Sequence, residues 1–223
     1  MKTIKSFSLF IVLALLLSSC VVKSLRAFYT KDILYFESKL IGNWMDSENA
    51  NWTISPFGEF LLKESQKSKP SELDADDFKL YNQYKEGYMV KYNKDSIETY
   101  YLAMPFKINN QLFLDFIPIE DRELNDSDNN LYKMHLVSIH TLAKVDIASD
   151  YTVGLKWLAQ SKLEALLKEN KIKIKYETVG VDETILLTAT SEELVKFIEK
   201  YMASEDEDKW KTDVEVNLKR SDD

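Results

Sequence analysis

Three apolar segments, residues 87–93, 96–108 and 112–118, follow one another with only Asn93-Lys94-Asp95 and Asn109-Asn110 between them. Breaks that short and that rich in Asn and Asp are hairpin chemistry, because these side chains tolerate the left-handed backbone a tight turn needs. Strands joined so closely run antiparallel, since a parallel crossover takes about a dozen residues or more. The middle of the chain is thereby committed to an antiparallel meander. Upstream, Asn51-Trp52-Thr53-Ile54-Ser55 and Glu59-Phe60-Leu61-Leu62-Lys63 flank Pro56-Phe57-Gly58 and predict another hairpin. Residues 64–77, polar and charged around Pro70, predict a long solvated loop, either a plain connection or a lid.

After the acidic stretch 120–130, residues 132–147 place Val137, Ile139, Thr141, Ala143, Val145 and Ile147 at period two, which predicts a long strand with one apolar face. The period then changes. Ala159, Leu163, Leu166 and Leu167 recur at helical spacing up to Asn170. A short strand over 184–188 follows, and Thr190-Ser191-Glu192-Glu193 has capping-box form ahead of Leu194, Phe197, Ile198 and Tyr201. Residues 214–218 alternate once more and end the pattern as a strand. Seven to ten strands with two late helices predict a mainly β, antiparallel fold with two α-helices inserted before the last strand.

At the other end of the chain, Lys2 and Lys5 precede the apolar run 7–17, and Leu17-Ser18-Ser19-Cys20 closes it. A charged start, a short apolar run and small residues before a cut site form an export signal. The run is shorter than the roughly 20 residues a membrane span needs. Cys20 is the chain's one cysteine, and the four residues resemble the lipobox of bacterial lipoprotein precursors. That resemblance implies a signal peptide over 1–19 and palmitate-type acyl chains on Cys20. Buried methylenes contribute about 0.8 kcal/mol each, so two or more chains anchor a protein stably to a membrane. An ordinary cleaved signal or an uncleaved anchor is the competing reading. Val21-Val22-Lys23 carries no acidic cluster, which favours the periplasmic side, at the outer membrane of a bacterial cell envelope.

Loss of residues 1–19 removes Lys2 and Lys5 and moves the formal charge from −8 to −10, with 27 basic against 37 acidic side chains. Nucleic acid is excluded as a partner by that balance. No disulfide is available inside the mature chain, so packing alone must hold it. Twelve per cent aromatic residues and only five glycines suit a strand-rich ordered domain.

Gly42-Asn43-Trp44, ahead of the first predicted hairpin, resembles the opening Gly-x-Trp of lipocalins. Most of the mature chain is similar to bacterial lipoproteins with a lipocalin-like domain found in Bacteroidota and relatives. The similarity rests on residues 35–44, Leu112-Phe113-Leu114-Asp115-Phe116, residues 135–145 and 157–167, and Ile185-Leu186-Leu187-Thr188-Ala189. It implies a lipocalin-like β-barrel over 36–223 with a helical insertion at about 157–203, behind a lipidated tether over 20–35. It also implies a structural pair, Arg220 lying across Trp44 at the closed end, held by cation–π attraction. The chain departs from lipocalins in lacking their cysteines and in carrying the helices.

No catalytic constellation emerges: there is no Gly-x-Ser-x-Gly elbow, no phosphate loop and no EF-hand spacing. His135 and His140 stand five apart, on opposite faces of a strand, which argues against a shared metal. No enzyme, cofactor or metal is expected. Candidate ligand-binding residues are Trp52, Tyr100, Phe113 and Asp115, within a wider aromatic set that either lines a pocket or fills the barrel. Asp115 lies in an apolar strand, where an unpaired charge costs several kcal/mol. It points either outward to solvent or into the barrel as an anchor. Two functions follow: an envelope carrier of an apolar small molecule or lipid, or a filled-barrel module that contacts another envelope protein.

Overall fold

The computed structural model describes residues 21–119, 137–212 and 214–221. Cys20, His135 and the expected strand start at 132–136 lie outside the described residues. Eleven strands are described: β1 (Lys23–Ser24), β2 (Gly42–Met45), β3 (Asn51–Pro56), β4 (Tyr88–Lys94), β5 (Ile97–Ile108), β6 (Gln111–Ile119), β7 (His140–Ile147), β8 (Val153–Trp157), β9 (Tyr176–Val179), β10 (Thr184–Leu187) and β11 (Glu215–Arg220). Helices are α1 (Phe57–Glu64), α2 (Ala75–Tyr84), α3 (Gln160–Lys168) and α4 (Ser191–Ala203).

Eight strands close an antiparallel barrel in the order β2-β3-β4-β5-β6-β7-β8-β11, and β11 pairs back onto β2 through Arg220 opposite Trp44. Positive backbone φ angles at Asp95, Ser96, Asn109 and Asn110 form the two tight turns that the Asn-rich breaks predict. Strand alternation sends Trp52, Ile54, Tyr88, Val90, Leu112, Leu114 and Phe116 inward, where they pack with Leu40, Trp44, Leu155 and Leu218 into one interior core.

Two outer layers then bury the other face of β4 to β7. Phe106, Phe113 and Leu142 pack against α3, α4 and β10 through Leu163, Leu187, Leu194 and Ile198. Met89, Leu102, Met104 and Ile117 pack under α1 through Phe57 and Leu61, with Leu80, Tyr81 and Tyr84 of α2 partly covered beside them. Strands buried on both faces read as continuous apolar runs, which accounts for Leu112 to Ile117.

Four expectations require correction. Residues 59–63 are helical, because Phe57 and Leu61 bury at i,i+4 spacing after Pro56, whose φ of −57° suits a helix start. The expected loop 64–77 holds the start of α2, where the Asp74 carboxylate accepts from Asp76 N–H at 3.0 Å and Asp77 N–H at 2.8 Å. Residues 137–139, expected within the long strand, lie outside it: β7 starts at His140, and its apolar face is the expected one, with Ala143 and Val145 inward, while Leu142 stands among His140, Lys144 and Asp146 on the outer face. Finally, the described part of 20–35 is no free tether: Val22, Ser24 and Phe28 are fully buried, and β1 lies between β7 and β10. The capping box is present at α4, with Thr190 and Glu193 each accepting the other's backbone N–H.

Candidate functional site

β6 places Asp115 on the outer side of the barrel wall, between Phe113 and Ile117 of the two outer layers, and it has no solvent access. Asp115 therefore faces neither solvent nor the barrel interior. Its carboxylate meets the Nδ1 of His140 at 2.9 and 3.1 Å and accepts from the Phe28 N–H at 3.2 Å. Burial pushes the Asp115 carboxyl above its ordinary value, and the His140 and Phe28 contacts pull it partly back. Burial and the Asp115 charge likewise raise the hydroxyls of Tyr29 and Tyr84.

An ionised Asp115 requires the proton on His140 Nδ1, which fixes the ring as carboxylates fix metal-bound or catalytic histidines. Ser24 sits directly opposite His140 in the β1–β7 pairing, so a Ser, a His and an Asp adjoin. Ser24 nevertheless has no solvent access, and its Oγ accepts from the Arg26 N–H at 3.0 Å. A nucleophile needs access to substrate as well as a base. The set instead fastens the N-terminal segment to the barrel wall: β1 pairs with β7, and Phe28 hangs from Asp115.

The four candidate ligand residues are not brought together. Trp52 faces the interior, and its Nε1 donates to Asp46 Oδ2 at 3.0 Å. Tyr100, Phe113 and Asp115 lie on the outer side of the wall. An aromatic group does form at the barrel end where the 46–50 and 95–96 turns lie: Trp52, Tyr92 and Tyr101 belong to the aromatic set singled out in the sequence, and Phe116 and Trp157 are the members that sequence reasoning misses. Trp52 meets Tyr92 at 5.1 Å, Tyr101 meets Phe116 at 6.2 Å, and Phe116 meets Trp157 at 5.3 Å between ring centres. Tyr92, Tyr101 and Trp157 are partly exposed there. Strand register was the available signal, since 92, 101, 116 and 157 share the inward parity of Trp52.

The opposite end is closed by Arg220. Its guanidinium lies 4.1 Å from the Trp44 ring centre, and it donates to Ile41 O at 2.7 Å and Lys39 O at 3.0 Å. Trp44 Nε1 donates to Leu40 O at 2.9 Å. Gly42 explains the Gly-x-Trp spacing: its φ is +135°, and a Cβ there would stand 2.0 Å from Arg220 Nη1.

Two hollows are found among the described residues, the second lined in part by Leu112 and Val145 of the interior core. One of about 850 Å³ sits beside α3, β9 and β10, and one of about 610 Å³ sits by the 109–110 and 148–151 turns. Among the described residues no three His, Cys, Asp or Glu side chains gather as a metal site requires, and no described helix is long and apolar enough to cross a membrane. In comparisons with known proteins, no family model, curated protein or solved structure matches this chain.

Proposed function

We propose that this chain is a lipid-anchored, non-enzymatic protein of the bacterial cell envelope, carrying its lipid on Cys20 and facing the periplasm from the outer membrane. Its lipocalin-like barrel serves as a filled interaction module for another envelope protein. One observation carries the choice over a carrier: the interior is occupied by contacting side chains, with Trp44 and Tyr88 fully buried among Leu40, Leu114 and Leu155. A carrier needs an internal cavity of about 300 Å³ or more. The Gly42, Trp44 and Arg220 geometry and the closed antiparallel barrel support the lipocalin-like reading. Fold alone is a weak warrant for function, so the filling of the interior has the greater weight.

A second reading keeps a ligand, placed at the aromatic end instead of deep inside. Partly exposed Tyr92, Tyr101 and Trp157 favour a flat apolar molecule stacked there. Native mass spectrometry of the chain extracted gently from its own envelope, before and after organic extraction, separates the two. A folded chain carrying only its covalent acyl mass supports the filled module. A stoichiometric, extractable small molecule overturns it in favour of the carrier. The anchor is tested in the same spectra, since Cys20→Ser removes the acyl mass if Cys20 bears it.

A further inference from the structure

Beyond the barrel, β7, β1, β10 and β9 form a shelf, and β9 is its last described strand. Thr188 N–H donates to Lys175 O at 3.0 Å, and Leu25 N–H donates to Leu187 O at 3.0 Å. Continuing the β9–β10 register sets 175 opposite 188, so that bond marks a hydrogen-bonded pair. Such pairs alternate along an antiparallel ladder, which turns the N–H and C=O of Tyr176 and Thr178 away from β10, toward the open edge.

Exposed edges are usually blunted by Lys, Pro or a bulge within the strand. Tyr176-Glu177-Thr178-Val179 has none of these, and all four residues are exposed. The hairpin also presents apolar surface, with Tyr176 42%, Val179 40% and Val181 98% exposed. Surface of that kind on a free edge marks a place where another strand pairs.

We propose that β9 is a self-association edge, pairing antiparallel with β9 of a second copy of this chain about a two-fold axis through Tyr176. The backbone parity allows symmetric axes through Tyr176, Glu177 or Thr178. An axis through Glu177 sets that carboxylate against its own copy, a repulsive pairing. An axis through Thr178 sets Glu177 against Val179. The axis through Tyr176 alone sets Lys175 of each copy against Glu177 of the other, twice, with tyrosine against tyrosine between them. Lys175 lies 3.2 Å from Glu193 in an exposed contact, which holds it only weakly. The same register carries the Val181 tip toward Lys171 and Ile172 of the second copy, beside the hollow of about 850 Å³ lined in part by Leu167, Ile172 and Ile185. A second copy thus finds matched charge and a matched apolar knob. Four residues of edge make a small contact, and confinement to a membrane surface raises its occupancy. The inference itself stands without the lipid.

Sedimentation velocity on the full chain in mild detergent, across the micromolar range, tests it. The expected result is a sedimentation coefficient that rises with concentration, is lost in Lys175→Glu, and returns in the swap of Lys175→Glu with Glu177→Lys. Thr178→Pro removes an edge-facing N–H without touching the β10 ladder and is expected to abolish the rise while leaving the circular dichroism unchanged. A chain that stays monomeric throughout overturns the proposal. So does self-association that all three variants leave intact, or a charge swap that fails to restore it.

Discussion

Two halves of one barrel are built to different rules. In β2, β3, β8 and β11 the inner face is apolar and the outer face is wet: Asn43 and Thr53 bond each other at 3.0 Å, and Lys156 reaches Glu215 at 3.5 Å. In β4 to β7 much of both faces is buried, the outer one under α1 and α2 or under the shelf and α3 and α4, with Lys91, Glu98 and Asp146 left at its margins. A wall wetted on one side tolerates polar change there. A wall buried on both sides does not, and its fully buried outward carboxylate, Asp115, requires partners from β7 and from the N-terminal segment.

The sharpest way to break that contrast is to truncate matched outward positions. Phe113 is fully buried and stacks on Phe106 at 5.4 Å, so Phe113→Ala is expected to lower the unfolding free energy by about 3–5 kcal/mol. Thr53→Ala on the wet half should stay within about 0.5 kcal/mol. Urea titrations giving equal costs would erase the distinction between the halves.

Gly42→Ala comes next, at about 2–4 kcal/mol, from strain at positive φ and displacement of Arg220. Its cost should shrink in an Arg220→Ala background, where the Cβ no longer meets the guanidinium. A cost that is the same in both backgrounds places the whole penalty in the backbone. Arg220→Ala by itself should cost about 1–2 kcal/mol through its stack and two carbonyl contacts.

A smaller, pH-dependent effect belongs to Asp115. Its folded value lies above the unfolded 3.8, so its contribution to stability is complete below 3.8 and is lost as the pH rises through the folded value. Asp115→Asn lacks that titration and should gain on the wild type in melting temperature as the pH climbs from below 3.8. If the wild type gains instead, pairing with His140 outweighs burial. Lys156→Ala, an exposed ion pair on the wet half, should change stability by about 0–0.5 kcal/mol.

Legibility in the sequence follows the same division. The wet half announces itself: Trp52 and Ile54 alternate with Asn51 and Thr53, and Val216 and Leu218 with Glu215 and Asn217. In the doubly buried half, period two is filled in, so Leu112 to Ile117 says strand without saying which face is which. Asp115 was therefore visible as an anomaly, while the layer covering it was not. That layer comes from 21–36 and from helices whose signals are short. Phe57 and Leu61 fit a five-residue strand nearly as well as a helix, and α2 buries no residue fully. Trp44 and Arg220 meet as the resemblance to lipocalins implied, through a Gly-x-Trp and an arginine after the last predicted strand that are side-chain requirements independent of period.

Barrel closure also sets an order in time. β2 begins at Gly42 and finds its closing partner only in Lys219 and Arg220, while β1 waits for residues 140–141 and 186–187. A chain that emerges N-terminus first therefore holds β1 unpaired until residues 140–141 follow, and one edge of β2 unpaired until residues 219–220 do. Contacts so distant in sequence form slowly and leave such edges open to misassociation meanwhile. The four-residue length of β2 and the two-residue length of β1 keep both edges small during that wait. Loss of Lys219 and Arg220 would cost this protein its seam, and with it the closed state to which the other barrel strands are fitted.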